Sequence, residues 1–457
     1  MQGDVMENGR DAEISKSTKS NFGAWGWFVI IFAFLSFMFA GNLIVDSLNV
    51  TVGAFSKMHG WKMGILLSYS TIAGLIAIAG SGILSKCASR YGVKIVYCIS
   101  LAVVAACCMV WGSITSLKEY AVIVILVNIF GNGFGFVGGT ALLANWFPRK
   151  KGLAMGWATI GFQASAVVLL PVYQYMLEKY DLTAAYRLVG ICLLALLVVC
   201  IVFLKGFPEE CGCAPDNDWS LSIEDMKREH AHALEVKAEK EYSTLELIRI
   251  RQIWQIGLIN GLVQLAITVL IVQFIPNLVF CGFSVNKATM LYSGASVIGG
   301  LGSYLWGVLD QRFGVKKASV WMCVVHAVGG VLFGLIASQI GGKFLAVIAA
   351  LIVGSILGVS SNYVGSFTAQ VFGRYGYSSA FALIIMIVTG MRAFGYSLIG
   401  VINTATGSNT VAYLIASGLS LLAMLITIST DDRCIDPTHL AMIEERKKSR
   451  NGENEND

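Results

Sequence analysis

The chain reads as an all-α integral membrane protein, with twelve transmembrane helices in two pseudo-symmetric six-helix bundles. Three observations carry this. Of 457 residues, 56% are hydrophobic and 13% are charged, against roughly 25% charged in soluble domains. Mean hydropathy is +0.69, and apolar runs of membrane-spanning length recur along the chain. The second half also repeats the first.

The runs fall at 23–50, 61–84, 95–115, 119–145, 152–175 and 187–206, and then at 252–276, 288–309, 316–337, 343–367, 378–403 and 410–430. This order predicts a tail at 1–22, a bundle at 23–206, a linker at 207–251, a second bundle at 252–430 and a tail at 431–457. Residues 1–21 are hydrophilic and the first run is too long for a signal sequence, so no cleavable leader is expected. In the linker, Ser222 with Asp225 three residues on marks the start of one surface helix.

The spans carry polar residues at helical spacing. Asn42, Asp46 and Asn49 share a face of the first. In the fourth, Asn128 and Asn132 share a face with Gly135 and Gly139, and Gly131, Gly135 and Gly139 suit close helix packing. Asn260, Gln264 and Thr268 share a face of the seventh, and Asn362, Ser366 and Gln370 one of the tenth. Thr389, Arg392, Tyr396 and Asn403 lie along the eleventh. Pro171 and Pro276 predict kinks. His326 in the ninth reads as a hydrogen-bonded packing residue.

Orientation follows from lysine and arginine, which concentrate on the cytoplasmic side. With both termini cytoplasmic, 25 of the 33 basic residues fall in cytoplasmic segments and 7 in outer loops; Arg392 is within a span. The expected location is the cell membrane, multi-pass, with both termini inside.

The repeat is visible without a gap. "GSGILSKCASRYGVK" (80–94) aligns with "GSYLWGVLDQRFGVK" (302–316) at an offset of 222, and "FPRKKGLAMG" (147–156) matches "FGRYGYSSAF" (372–381). Six-span repeats mark transporter folds.

Gly307, Asp310, Arg312 and Gly314, with Lys316 and Lys317, resemble the loop motif of the major facilitator superfamily. The aspartate sits one place early, and the first-half copy has Ala88 where Asp310 stands. "NWFPRKKGLAMGWATIGF" (145–162), "FPEECGCAPDND" (207–218) and "LELIRIRQIWQIG" (245–257) are similar to the oxalate–formate antiporter and monocarboxylate transporter branch. The resemblance implies a central cavity lined by the first, fourth, seventh and tenth helices, with alternating access. It also implies one basic residue on the eighth helix and one on the eleventh. The eighth-helix position aligns with Ser303, and Arg392 stands about one turn beyond the eleventh-helix position. One cation suits a monoanion better than a dicarboxylate.

Two charged residues lie well inside spans, Asp46 and Arg392. A charge at the bilayer centre costs about 2.5–3.5 kcal/mol on insertion scales, so such groups face a cavity or a partner. The guanidinium fork of arginine matches a carboxylate bidentately. The expected substrate-binding residues are Arg392, Asp46, Asn42, Asn132, Asn260, Gln264, Asn362 and Tyr396, with Asp46 as the proton-coupling residue.

The expected function is a secondary active transporter of a small organic monoanion, a carboxylate, as proton symporter or anion exchanger. The alternative keeps the fold but moves a zwitterion or exports an amphiphile. An enzyme would need clustered His, Asp or Glu near one interface, which the sequence lacks. "GNGFGFVGG" (131–139) follows no strand, so no nucleotide loop and no cofactor are expected. Cys211 and Cys213 have no second pair or nearby histidine, so no metal is expected. The partners are the substrate anion, protons and the bilayer; no nucleic acid is expected, and the chain is expected to be monomeric.

Overall fold

The computed structural model describes residues 19–406 and 409–454, with no strand among the described residues. Eleven helices are long and apolar enough to cross a membrane: Gly23–Asp46, Ser68–Tyr91, Val93–Trp111, Leu117–Trp146, Lys151–Lys179 and Leu182–Phe203 in the first half, then Arg251–Ile271, Val315–Ala337, Gly342–Phe372, Tyr377–Gly395 and Thr410–Ser429 in the second. The remaining span, eighth in order, is the 29-residue helix Val285–Phe313, less apolar because it is rich in glycine and serine.

The repeat holds to the residue. The second span begins as a helix at Met63 and ends at Tyr91, and the eighth runs from Val285 to Phe313, 222 residues later at both ends. Gly60 and Gly282 precede them with φ of 71° and 86°. Gly92 and Gly314 end them at φ 92°, ψ 151° and φ 86°, ψ 149°. Side-chain-bearing residues are strained at such positive φ, which explains why glycine recurs at these corners. Gly307, Asp310 and Arg312 therefore belong to the last turns of a helix, and Gly314 makes the corner.

Several spans are broken where the sequence leaves room. The fifth passes through a π-helical segment, Ser165–Leu169, just before Pro171. The seventh breaks at Gln273 before the short helix Phe274–Phe280, which contains Pro276. The first and fourth carry π-helical segments at Asn42–Asp46 and Gly133–Val137. The glycine stripe of the fourth span meets the first. A Cβ at Gly131, Gly135 or Gly139 would lie 3.2, 2.5 or 2.8 Å from Ile44, Ala40 or Phe37. In hydrocarbon, helices associate by such close packing rather than by the hydrophobic effect. Bundle interiors are filled by Phe37, Tyr97, Trp111 and Tyr186 in one half and by Val269, Phe274, Phe333 and Tyr413 in the other.

The bundles meet along two seams. Where the fifth span crosses the eighth, a Cβ at Gly156 would stand 2.9 Å from the Ser303 carbonyl oxygen, and one at Gly307 would stand 2.5 Å from that of Gly152. Where the second crosses the eleventh, Ser85 Oγ donates to the Ser378 carbonyl at 2.7 Å.

The linker closes one end of the molecule. Its helix Ile223–Lys240 is capped by Ser222, whose Oγ accepts from the Asp225 N–H at 3.2 Å. Arg149 and Arg374 occupy matching places in the repeated loops, and each binds a linker acid. Arg149 Nη1 reaches Asp218 Oδ2 at 2.9 Å. Arg374 donates to both oxygens of Glu209 at 2.6 Å and from Nε to the Asn145 carbonyl at 2.6 Å. Asp216 accepts the backbone N–H groups of Arg149 and Lys150 at 3.0 and 2.8 Å. A C-terminal helix, Pro437–Asn454, starts at the same end, after Asp436.

Candidate functional site

The seams set the level of the site. At the end bearing the tails, the bundles are tightly joined. Ser366 donates to Asp310, and a Cβ at Gly152 would fall 2.5 Å from Asp310 Oδ2. Lys151 Nζ donates to Gln370 Oε1 at 2.5 Å, and Gln311 Nε2 to the Arg149 carbonyl at 2.9 Å. Ser366 and Gln370 thus bond at this closure, the interhelical hydrogen bonding that a polar stripe inside a span also permits. Farther along, a Cβ at Gly390 would still meet Ile78 at 3.7 Å, but one at Gly74, a turn beyond, would meet nothing within 4 Å among the described residues. Among the described residues the same holds for Gly294, a turn beyond the contact of Gly299 with Gln163.

Arg392 stands where this close contact stops. Its flanking residues fix it. Met391 lies against Gly261, Gly395 against Thr268, and Gly390 against Ile78, so the arginine sits among the second, seventh and eleventh spans. The side chain is half-buried, and no hydrogen bond or ion pair to it is found among the described residues.

Asn42 and Asn362 are fully buried, and among the described residues neither the nitrogen nor the oxygen of either side chain has a partner. Buried amides are ordinarily bonded, so such orphans point to a ligand or water. Asn260 donates to the Ile256 carbonyl at 3.0 Å, while its Oδ1 is buried without a partner among the described residues. Thr268 Oγ1 donates to the Gln264 carbonyl at 2.7 Å. Asn128 and Asn132 bond back to Val124 and Asn128, one turn earlier in their own helix, at 2.9 and 2.7 Å. With the 222-residue offset, Asn42 corresponds to Gln264 and Asp46 to Thr268, so the polar face is itself part of the repeat. The side chains of Asn49, Tyr396 and Asn403 lie outside the described residues.

Asp46 is held within the first bundle. Ser165 Oγ donates to its Oδ2 at 2.5 Å, tying the π-helical segment of the first span to that of the fifth. No ion pair joins Asp46 to Arg392 among the described residues. The two charges belong to opposite bundles.

Three features escaped the sequence reading. Gln163 on the fifth span lies against Gly299 of the eighth and Gly358 of the tenth. Its spacing from Thr159 was the available signal. Phe37, Phe136 and Phe162 form a cluster, with Phe162 4.8 and 4.7 Å from the other two rings. The three π-helical segments all fall in the first bundle, a kind of irregularity that often accompanies functional sites. Ser303, at the eighth-helix position, is fully buried, donates to the Gly299 carbonyl at 3.0 Å and abuts Gly358.

Charge outside the spans is perturbed by burial. Burial pushes the Asp436 carboxyl up to about 6, although backbone N–H groups of Thr438, His439 and Gly376 favour its anion. Burial likewise raises Asp216. Burial alone would lower Arg374, but the bonds and charge of Glu209 outweigh it.

Known proteins resemble the chain, some over about half of its length and others over most of it. It is 25% identical over 215 residues to the oxalate:formate antiporter of Oxalobacter formigenes, a match covering 47% of each chain. It is 22% identical over 430 residues to human monocarboxylate transporter 12, covering 89% of this chain and 80% of that one. Among solved structures, the proton:xylose symporter XylE bound to 6-bromo-6-deoxy-D-glucose superposes with a TM-score of 0.74 at 14% identity, over 91% of this chain and 98% of that one. Residues 24–396 match the Major Facilitator Superfamily, and with the repeat, the twelve spans and the paired seams they make this chain a member of that superfamily of membrane transporters.

Proposed function

We propose that the protein is a secondary active transporter of a small organic monoanion, a carboxylate, working by alternating access as a proton symporter or anion exchanger. The observation that carries this is Arg392, a half-buried cation with no hydrogen bond or ion pair found among the described residues, at the level where the bundles part. A guanidinium there can receive a carboxylate through two parallel hydrogen bonds. Ser303 supports a monoanion, since the eighth-helix position carries no second cation. Asn42, Asn260 and Asn362 carry orphaned amide atoms suited to the rest of a small polar solute, and Gln264 and Asn132 complete the polar face. The relatives named for oxalate, formate and monocarboxylates support the same class.

The bundles are 23–206 and 252–430, joined by the linker 207–251. The basic-residue distribution supports cytoplasmic termini and linker in a cell-membrane protein. On that orientation the sealed end is cytoplasmic, and Arg392 faces outward. We take the transporter to be monomeric.

Asp46 favours a second reading, in which the substrate is a zwitterion whose ammonium meets this carboxylate. Uptake of labelled carboxylates and amino acids into proteoliposomes, with and without a pH gradient, separates the two. Accumulation of a monocarboxylate driven by inward protons supports the first reading. Transport restricted to zwitterions overturns it.

A further inference from the structure

The two seams are built alike but not from the same residues. At the fifth–eighth seam, Asp310 from the end of the eighth span lies over the first turn of the fifth, against Gly152 and bonded to Ser366. A carboxylate at a helix N-terminus is favoured by the unpaired N–H groups and dipole of that end. At the matching second–eleventh seam, the aligned residue is Ala88, buried and without charge. At the start of the eleventh span Asp436 accepts the Gly376 N–H, but among the described residues it makes no hydrogen bond or ion pair to the second span, so the seam between the second span and the eleventh needs another acid.

Glu241 stands there. It follows the last turn of the linker helix, and its Oε1 accepts from Ser89 Oγ of the second span at 2.7 Å. Ser379 Oγ, in the first turn of the eleventh span, donates to the same oxygen. The two hydroxyls are 2.7 Å apart. Lys237 Nζ is 3.9 Å from Glu241 Oε1 and donates to the Ser89 carbonyl at 3.4 Å, so the linker helix grips the seam by two side chains. A single oxygen thus bonds residues of both bundles.

We propose that Glu241 supplies, from the linker, the seam carboxylate that the first-half motif lacks at Ala88. The linker helix is then a positioning element of the transport cycle, because the second and eleventh spans can separate at this end only after Glu241 leaves them. The proposal rests on alternating access but not on the substrate, and it is read by distance rather than by transport.

The test uses the full chain with its native cysteines replaced and spin labels at Arg90→Cys and Arg312→Cys, exposed symmetry mates on opposite bundles at the sealed end. Glu241→Gln keeps the shape and removes the charge. Electron–electron distance measurements should show the ratio of long to short distances rising about fivefold, the upper scale of a partly exposed charged contact. Adding Ala88→Asp should return the distribution towards that of the parent. A distribution unchanged by Glu241→Gln overturns the proposal. So does a lengthened one that Ala88→Asp leaves lengthened, since Glu241 would then not stand in for the missing acid.

Discussion

Arg374 and Glu209 face each other through two parallel contacts of 2.6 Å, Nη1 to Oε1 and Nη2 to Oε2. The pair is nearly dry, with side-chain exposures of 11% and 4%. Removing one partner of a buried pair leaves the other charge uncompensated, at about 3–5 kcal/mol. Glu209→Gln should therefore lower the thermal midpoint in detergent, followed by tryptophan fluorescence, and Glu209→Gln with Arg374→Gln should recover part of the loss. Melting curves that coincide with the parent would show that the pair contributes nothing.

Arg392→Lys keeps the charge and loses the fork, so binding of the transported anion should weaken by roughly 1.5–3 kcal/mol, the scale of a charge-assisted bond. Arg392→Gln should lose more. Equilibrium binding to purified protein checks this, and parental affinity in Arg392→Gln would remove the arginine from the site.

Asp46 touches Ser165 and not Arg392, so any coupling between acid and arginine passes through the substrate or the bundle geometry. Asp46→Asn can keep the Ser165 bond. It should abolish proton-driven accumulation while sparing exchange of substrate for substrate. Uphill accumulation by Asp46→Asn under a proton gradient alone would place the proton site elsewhere.

Asp436 gives a pH signature outside the membrane. Its folded carboxyl is pushed up to about 6 by burial, from an ordinary 3.8. Between those values the folded state holds a proton that the unfolded state releases. Stability from this group is full below about pH 4 and falls by up to roughly 3 kcal/mol as pH rises through 6. Asp436→Asn should flatten the fall in melting temperature between about pH 4 and pH 6, the interval between the two pKa values. An unaltered slope would assign the dependence to other groups.

Topology is checked at Glu235, whose side chain is 82% exposed on the linker helix. In a cysteine-free background, Glu235→Cys should react with an impermeant maleimide only after the cells are opened. Labelling of intact cells would reverse the orientation.

Much of this architecture was legible because it is periodic or local. The 222-residue offset foretold that helices ending at Tyr91 and Phe313 would match, and Ser222 with Asp225 foretold the linker helix. The stripe of Gly131, Gly135 and Gly139 read correctly as a packing face. The partners of Ser366 and Gln370 were not legible, because periodicity reports a shared face without naming what stands opposite. The π-helical segments left no mark beyond nearby glycine or proline. The linker acids paired with arginines up to 165 positions away, which no local pattern encodes.

The glycine crossing of the fifth and eighth spans has a practical consequence. Gly152, Gly156 and Gly307 let two backbones touch at the sealed end, so even one methyl group there is a wedge. Gly156→Ala would force that end apart by several tenths of an ångström or more, while the far end is untouched. The crossing is therefore a handle for trapping the opposite state of the cycle, with a change of one carbon atom.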